Sequence, residues 1–403
     1  MREVAESLGG ALSRQESAPA DPLEDMLSFP PPLTLYIHLP WCVRKCPYCD
    51  FNSHALSGSL PEEAYLAALL RDLEAAQPLV AGRPVAAVFF GGGTPSLFSP
   101  EAIDRILRRV GSLLPLAAGA EITLEANPGT FEQARFQGYR AAGVNRLSLG
   151  VQSFNARHLA ALGRIHDDTE ARRAVEAAVR LFETVNVDLM YGLPGQSVAQ
   201  ARADVAVALA FGVGHLSAYH LTIEPNTRFY LQPPDLPDEE TVMRMEEEIQ
   251  ALLAGEGFLH YEVSAFARPQ HQCRHNLNYW LFGDYLGIGA GAHSKLTTPD
   301  GILRLVRHKQ PKAYMLAAQQ GDAVQASHRV PAEALPLEFM MNALRLGEGF
   351  PEALFSQRTG LPLTVIEPAL AKAQARGLIE RNGGYIRATP LGHRFLNDTL
   401  ALF

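Results

Sequence analysis

Cysteine is scarce in this sequence, which has only four cysteines among 403 residues. Three of the four, Cys42, Cys46 and Cys49, are crowded into one short segment, so they do not form a disulfide framework. In a reducing cytoplasm, thiols grouped in this way are more typical of a metal or redox centre than of a cross-link.

Long apolar runs and an excess of positive charge are also missing. No stretch approaches the roughly 18 apolar residues of a membrane-spanning helix, and the charged N-terminus lacks the apolar core of a signal peptide. We therefore expect a cytoplasmic protein whose residues 1–32 form a disordered tail. The formal net charge of -8 argues against a surface built for general nucleic-acid binding, which needs a concentration of Lys and Arg.

What the sequence does have is an alternation of short apolar runs with amphipathic stretches of helical length. The candidate strands are LYIHL, VAAVFFGGG, EITLEAN, RLSLGVQ, VNVDLMYGLP and HLSAYHLTI. Candidate helices lie near residues 62–77, 100–114, 131–142, 168–182, 198–211 and 238–255. This alternation predicts an α/β fold with a parallel sheet, either flat or closed into a partial barrel.

Polar residues recur at the ends of successive candidate strands. The GGGTP segment ends the second strand, Glu125 and Asn127 end the third, and Gln152 ends the fourth. Asp188 lies in the fifth strand, and Arg164 lies in the loop after Gln152. Because the carboxyl ends of parallel strands meet at one edge, we expect these groups to share a single site.

The pattern of predicted secondary structure changes from about Pro331 onward. Helical stretches there are followed by a hairpin signal around Asn382–Gly384, which together resemble a winged-helix domain. Residues 331–403 contain seven Lys or Arg and seven Asp or Glu. With no net positive charge, this segment does not predict specific DNA binding.

The cysteine cluster has two chemical interpretations. Three thiolates at this spacing can hold a 4Fe-4S cluster, each binding one iron, while the fourth iron is left open for an exogenous ligand. Alternatively, a structural zinc ion could use His38 or His54 as its fourth ligand, because zinc favours closed tetrahedral shells of sulfur and nitrogen.

Motifs along most of the chain resemble one family. In family order, over about residues 33–400, the chain contains YIHLPWCVRKCPYCDFNSH, GGGTPS, LEANPGT, GVNRLSLGVQSF, LGRIH, DLMYGLPGQ, LTIEPNT, HNLNYW and YLGIGAGAHSK. It resembles the radical S-adenosylmethionine (SAM) superfamily, in the branch of oxygen-independent coproporphyrinogen III oxidase, and within it the HemW-type haem chaperones. The resemblance implies a partial (β/α) barrel over residues 33–325 and a small, mainly helical, winged-helix-like domain over 326–403.

The resemblance also implies the cofactors. In this superfamily, the amino and carboxylate groups of S-adenosylmethionine chelate the open iron of a 4Fe-4S cluster. Gly92, Gly93 and Thr94 match the segment that contacts the methionine portion, where absent side chains let the backbone approach the cofactor. The other positions that match residues around the cluster and cofactor are Tyr36, Glu125, Gln152, Arg164 and Asp188.

Two departures separate the chaperones from the oxidases. The oxidases have a further cysteine two residues after the third, where this sequence has Phe51, which cannot ligate iron or transfer protons. We expect Phe51 to pack against the cluster. The segment CRHNLNYW is similar to the HNxxYW motif implicated in haem binding. The predicted haem-binding residues are His275, Asn276, Tyr279 and Trp280, with Cys273 and His293 as alternative iron ligands.

The resemblance therefore implies a haem chaperone that carries a cluster and S-adenosylmethionine and delivers haem to acceptor apoproteins such as respiratory haem proteins. Its expected partners include a haem donor protein, and transient membrane association is compatible with it. The rival hypothesis is a radical enzyme that acts on a porphyrinogen. A zinc-containing regulator is a third hypothesis.

Overall fold

The computed structural model describes residues 30–80, 82–129 and 133–403. In this part of the chain, twelve strands form one main sheet. They are β1 (Leu33–Leu39), β4 (Val85–Gly92), β5 (Leu116–Ala126), β6 (Arg146–Gln152), β7 (Thr184–Tyr191), β8 (His215–His220), β9 (Leu259–Glu262), β10 (Ala265–Ala267), β11 (Asp284–Ile288), β12 (His293–Thr298), β13 (Gly301–Arg307) and β14 (Val324–Arg329). Two short strands, β2 (Trp41–Cys42) and β3 (His54–Ala55), pair separately.

The main sheet has a parallel centre and antiparallel edges. Its strand order is β14-β13-β12-β11-β1-β4-β5-β6-β7-β8-β10-β9. From β11 through β1 to β8, every neighbouring pair is parallel, as the alternation of strands and helices predicts. The outer pairs are antiparallel, which the sequence did not predict. The two edge strands, β14 and β9, do not pair with each other.

Helices cover the outer face of the parallel strands. The helices that accompany the main sheet are α1 (Glu62–Ala76), α2 (Pro100–Leu113), α3 (Phe136–Ala142), α4 (Ala156–Ala161), α5 (Asp168–Leu181), α6 (Val198–Ala210), α7 (Arg228–Leu231), α8 (Glu239–Gly255), α9 (Arg274–Trp280) and α10 (Pro311–Gln319). Reciprocal side-chain caps fix two of the starts. Asp167 with Glu170 begins α5, and Ser197 with Gln200 begins α6.

Strand β1 shows how the sheet separates the core from the site. Leu33, Leu35 and Ile37 are at most 1% exposed and belong to the main apolar core. Because side chains alternate between the two faces of a strand, Tyr36 and His38 point to the opposite, inner face. That inner face carries most of the predicted site residues.

The C-terminal part has a core of its own. Its helices are α11 (Leu335–Ala343), α12 (Glu352–Thr359), α13 (Glu367–Ala375), α14 (Pro390–Arg394) and α15 (Leu396–Leu400), beside a sheet of order β15-β17-β16 that contains β15 (Phe350–Pro351), β16 (Ile379–Asn382) and β17 (Tyr385–Ala388). The antiparallel pair β16–β17 turns at Gly383 and Gly384, so the predicted hairpin is confirmed. The limits of the domains stay a prediction.

Helix predictions agree with the structure to within a few residues, apart from 131–142. That region is described as a helix only from Phe136, and residues 130–132 lie outside the described part. Residues 1–29 of the predicted tail also lie outside it. Among the described residues, no helix is long and apolar enough to cross a membrane.

Candidate functional site

The three predicted cluster cysteines lie on the loop that follows β1. Strand β2 starts this loop and pairs with β3 at its end, and a turn from Cys49 N to Cys46 O (3.2 Å) bends the chain between them. The loop is tied to the end of β4, because Thr94 N donates to Trp41 O at 2.8 Å. The thiols of Cys42, Cys46 and Cys49 are free, and these residues are half-buried.

The chemistry of these thiols fits a metal–sulfur cluster. Burial raises the pKa of the Cys42 thiol, a hydrogen bond from Thr94 opposes the shift, and the charges of Cys49 and Cys46 add to it. Thiolates this close together repel one another unless positive charge lies between them, as iron does in a cluster. The loop could therefore supply three ligands to a 4Fe-4S cluster.

A mononuclear zinc site gains no support from the geometry. Within residues 30–80, 82–129 and 133–403, no three His, Cys, Asp or Glu side chains are grouped so as to hold one metal ion. Both ring nitrogens of His38 have partners, Nδ1 at 3.0 Å from the Tyr36 hydroxyl and Nε2 at 2.9 Å from Asn52 O. In a 4Fe-4S cluster each cysteine binds a different iron, so convergence on one point is not required.

The fold itself requires glycine at positions 92 and 93. Gly92 has φ +114°, and a Cβ atom there would lie 2.4 Å from the His38 ring. A Cβ atom on Gly93 would lie 2.6 Å from the Trp41 carbonyl oxygen. The space next to both glycines is occupied by the chain itself, so Gly92 is needed for the close approach to the His38 ring on β1 and Gly93 for the close approach to the cysteine loop.

Glu125, Asp188 and Tyr36 are electrostatically coupled. Burial raises the pKa of Glu125 to about 8, the charge of Asp188 adds to the shift, and the Gly92 N–H, 3.2 Å from Oε2, opposes it. Burial also raises the pKa of Asp188, and a hydrogen bond from Asn186 opposes that shift. The pKa of Tyr36 is raised mainly by burial and further by the charge of Glu125. Two neighbouring carboxyl groups of this kind suit a ligand with positive charge or with hydroxyl donors.

Arg164, Thr94 and Gln152 form a second group, which Asn127 joins. Arg164 Nη2 donates to Asn127 Oδ1 and to Gly150 O at 2.7 Å each, and Asn127 Nδ2 donates to Thr94 Oγ1 at 3.0 Å. Gln152 has a left-handed φ of 71°, a strained conformation that clusters at functional sites. The position of Asn127 at a strand end predicts that it shares the site with these groups, although the family resemblance did not single it out as a cofactor-binding residue.

The predicted haem-binding segment is a helix, α9, and not an extended strand. The Glu121 carboxylate on β5 accepts the backbone N–H groups of Arg274 (3.1 Å) and His275 (3.3 Å) at its start. Burial lowers the pKa of His275 to about 3, and the positive charge of Arg146, at the start of β6, adds to this shift. The segment therefore lies toward the amino ends of the strands, away from the cysteine loop, and the predicted residues occupy two regions.

Tyr36 lies between these two regions. Its ring is 6.1 Å from the His275 ring, and the Phe89 ring is 4.9 Å from the same histidine. Tyr36 is also coupled to Glu125 on the cofactor side. His275 is only 5% exposed, and its Nδ1 is buried without a hydrogen-bond partner.

The other predicted haem residues differ in their surroundings. Tyr279 stacks on Tyr285 with ring centroids 4.0 Å apart, and Asn276 is half-buried. The guanidinium of Arg345 lies 4.3 Å from the Trp280 ring, whose Nε1 is buried without a partner. The helix places His275 and Tyr279 one turn apart, with ring centroids at 5.9 Å.

Three further residues were singled out from the sequence. Cys273 is fully buried, and burial raises the pKa of its thiol to about 12, so it is an inert thiol in this state. His293 is exposed at the start of β12. Phe51 is 66% exposed to solvent, and its packing against the cluster stays a prediction.

Comparison with known proteins identifies the family of the chain. Residues 36–206 match the Radical SAM superfamily, and residues 330–395 match the HemN C-terminal domain. The chain is 50% identical over 375 residues to Heme chaperone HemW of Escherichia coli, which covers 93% of this chain and 98% of that protein. The chain belongs to the HemW haem chaperone family. It is also 45% identical over 379 residues to HemW of Haemophilus influenzae, with 93% and 98% coverage.

A solved structure extends the comparison to the fold. Coproporphyrinogen III oxidase (HemN) of Escherichia coli, a radical SAM enzyme, has a TM-score of 0.79 at 25% identity and covers 94% of this HemW-family chain and 92% of its own. The family resemblance and the α/β fold of the radical SAM type with its C-terminal domain are thereby confirmed. The roles of individual site residues stay predictions.

Proposed function

We propose that the protein is a haem chaperone that carries a 4Fe-4S cluster with S-adenosylmethionine and delivers haem to acceptor apoproteins such as respiratory haem proteins. The observation that carries the proposal is membership of the HemW family over 93% of the chain. The cysteine loop supports it, because it presents three free thiols and no fourth ligand in the position of Phe51. A cytoplasmic location and a haem donor protein belong to the same proposal.

In this proposal, Cys42, Cys46 and Cys49 bind the cluster, and the cofactor completes the coordination of the fourth iron. Bound together, the two groups supply one-electron chemistry. The chain's own residues bind and orient. Glu125 and Asp188 would offer carboxyl oxygens to the cofactor's polar groups, and Arg164, Thr94 and Gln152 would offer further polar contacts to it.

His275 is our proposed haem ligand. Its pKa near 3 keeps the imidazole neutral at physiological pH, which is the form that binds metals. Two polar atoms on this helix, His275 Nδ1 and Trp280 Nε1, are buried without partners, and such atoms in a folded protein call for a reason. Since His275 is 5% exposed behind Tyr36 and Phe89, haem ligation requires α9 to shift away from these rings.

Haem titration of the intact protein tests this ligand. We expect His275→Ala to shift the Soret band and reduce haem retention, while the matched control His328→Ala, at an exposed histidine on β14, leaves both unchanged. Retention of the wild-type spectrum by His275→Ala, together with its loss in Cys273→Ser or in His293→Ala, would move the ligand to the thiol or to the second histidine. Failure of the wild-type protein to bind haem would overturn the chaperone proposal itself.

Haem delivery is tested by transfer from the loaded protein to a respiratory apoprotein. We expect transfer from cluster-loaded protein and a reduced rate from protein whose cluster ligands are replaced by serine. Free haem at the same concentration is the control. Equal rates for free and protein-bound haem would contradict a delivery function.

The second candidate is a radical enzyme that acts on a porphyrinogen, which the oxidase-like fold favours. Anaerobic incubation with coproporphyrinogen III, S-adenosylmethionine and a reductant separates the two candidates. We expect no protoporphyrinogen IX above a cluster-free control, because Phe51 stands where the oxidases have a cysteine. Product formation at multiple turnovers would favour the enzyme.

A further inference from the structure

Each of the three cluster cysteines lies within hydrogen-bond distance of at least one polar side chain. The sulfur atoms and their partners are Cys42 Sγ with Thr94 Oγ1 at 3.4 Å, Cys46 Sγ with Arg164 Nη1 at 3.5 Å, and Cys49 Sγ with Ser53 Oγ at 3.6 Å. Sulfur atoms accept hydrogen bonds at such longer distances. The three donors come from different segments of the chain, yet every sulfur has at least one.

The direction of these hydrogen bonds follows from the chemistry of the sulfur. A cysteine that binds iron is a thiolate and has no proton, so the hydroxyl or guanidinium group must donate. Thr94 and Ser53 are 4% and 5% exposed, so bulk water does not replace them readily. Arg164 is held by two further hydrogen bonds of 2.7 Å, which leave Nη1 directed at Cys46.

Asn127 connects two of the three donors. Its Oδ1 accepts from Arg164 Nη2 at 2.7 Å, and its Nδ2 donates to Thr94 Oγ1 at 3.0 Å. Because the Thr94 oxygen accepts this bond, its own proton is free to point at Cys42 Sγ. One amide side chain thus orients the donors to two different cluster ligands.

We propose that Asn127 is a positioning residue and that Thr94, Arg164 and Ser53 form a sulfur-donor shell that raises the reduction potential of the cluster. Reduction adds one electron, and the added negative charge spreads onto the sulfurs, where each donor stabilises it. Arg164 adds a full positive charge to the same effect. The inference rests on the proposed function, since it requires the cluster.

An EPR-monitored potentiometric titration of the anaerobically reconstituted full-length protein, with dithionite as reductant and without S-adenosylmethionine, tests the shell. The Thr94 hydroxyl donates to the sulfur in both oxidation states, but more strongly when the cluster carries the added electron. For Thr94→Val we therefore expect a roughly threefold to tenfold smaller equilibrium constant for reduction, which is about 30–60 mV lower in a one-electron couple. Thr94→Ser should restore the wild-type potential, and Ser53→Ala should shift it in the same direction as Thr94→Val.

The positioning role of Asn127 needs a second comparison. We expect Asn127→Leu to lower the potential at least as much as Thr94→Val, and the double variant to show less than the sum of the two shifts, because both act on the same donor. Asn145→Leu is the matched control, since within the described part of the chain the Asn145 side chain bonds only backbone groups, Ile122 N and Ala120 O. Its potential should equal that of the wild type.

The outcomes separate this inference from the proposed function. Wild-type protein that takes up no iron and sulfide would refute the cluster and the shell together. Fully loaded Thr94→Val and Ser53→Ala variants with unchanged potentials would refute the shell alone, even if Asn127→Leu does not fold. Additive shifts in the double variant would refute the positioning role of Asn127.

Discussion

Replacement of Glu125 by glutamine is expected to change how the stability of the protein depends on pH. The carboxyl group has a pKa raised to about 8 by burial, with Asp188 adding to the shift, against an ordinary value of 4.5. Between these two values the unfolded chain has lost this proton while the folded chain still holds it. Folding of the wild type is therefore penalised increasingly as the pH rises from 4.5 to 8.

The size of the effect follows from the shift. One pKa unit corresponds to about 1.4 kcal/mol, so the penalty from Glu125 grows by roughly 3–4 kcal/mol between pH 5 and pH 8, as an upper bound. Glutamine has no proton to lose and keeps an oxygen that can accept the Gly92 N–H. We expect Glu125→Gln to be more stable than the wild type at pH 8 and to differ little from it at pH 5.

Urea unfolding at pH 5, 6, 7 and 8, in protein free of S-adenosylmethionine, measures this difference. Glu63→Gln is the matched control, because Glu63 is 74% exposed in its ion pair with Arg105 and should show no comparable pH dependence. A difference between Glu125→Gln and the wild type that is constant across this range would refute the raised pKa. So would a variant that is less stable than the wild type at pH 8.

Two further predictions concern the cluster and the core. Cys42→Ser should abolish the 4Fe-4S cluster because no spare ligand exists, whereas Cys273→Ser should keep it. Iron and sulfide are measured in anaerobic preparations of both variants. Retention of the cluster by both variants would contradict the prediction. Asp284→Asn should lower the free energy of unfolding by about 3–5 kcal/mol, since it leaves the buried ammonium of Lys295, 3.1 Å away, without its counter-charge. Asp300→Asn, which removes a surface ion pair whose Asp300 side chain is 74% exposed, should lower the free energy of unfolding by at most about 1 kcal/mol. Equal urea midpoints for these two variants would contradict the reasoning.

The sequence by itself determined the local features. The spacing of Cys42, Cys46 and Cys49 requires only a short loop, and alternating apolar residues in β1 follow from the two-residue period of a strand. The starts of α5 and α6 follow from capping residues three positions apart. Each of these signals acts over a few neighbouring residues, and for that reason it can be read without the fold.

Only the tertiary structure decided which distant residues meet. The strand-end pattern predicted a shared site, but it did not predict that Asn127 bonds Thr94, 33 positions away, and Arg164, 37 positions away. His275 is likewise placed by distant residues, because Glu121 on β5, 154 positions away, accepts its backbone N–H and its ring lies against those of Tyr36 and Phe89. Such contacts depend on strand order and on which face of the sheet each side chain points to, and these emerge only when the whole sheet is assembled.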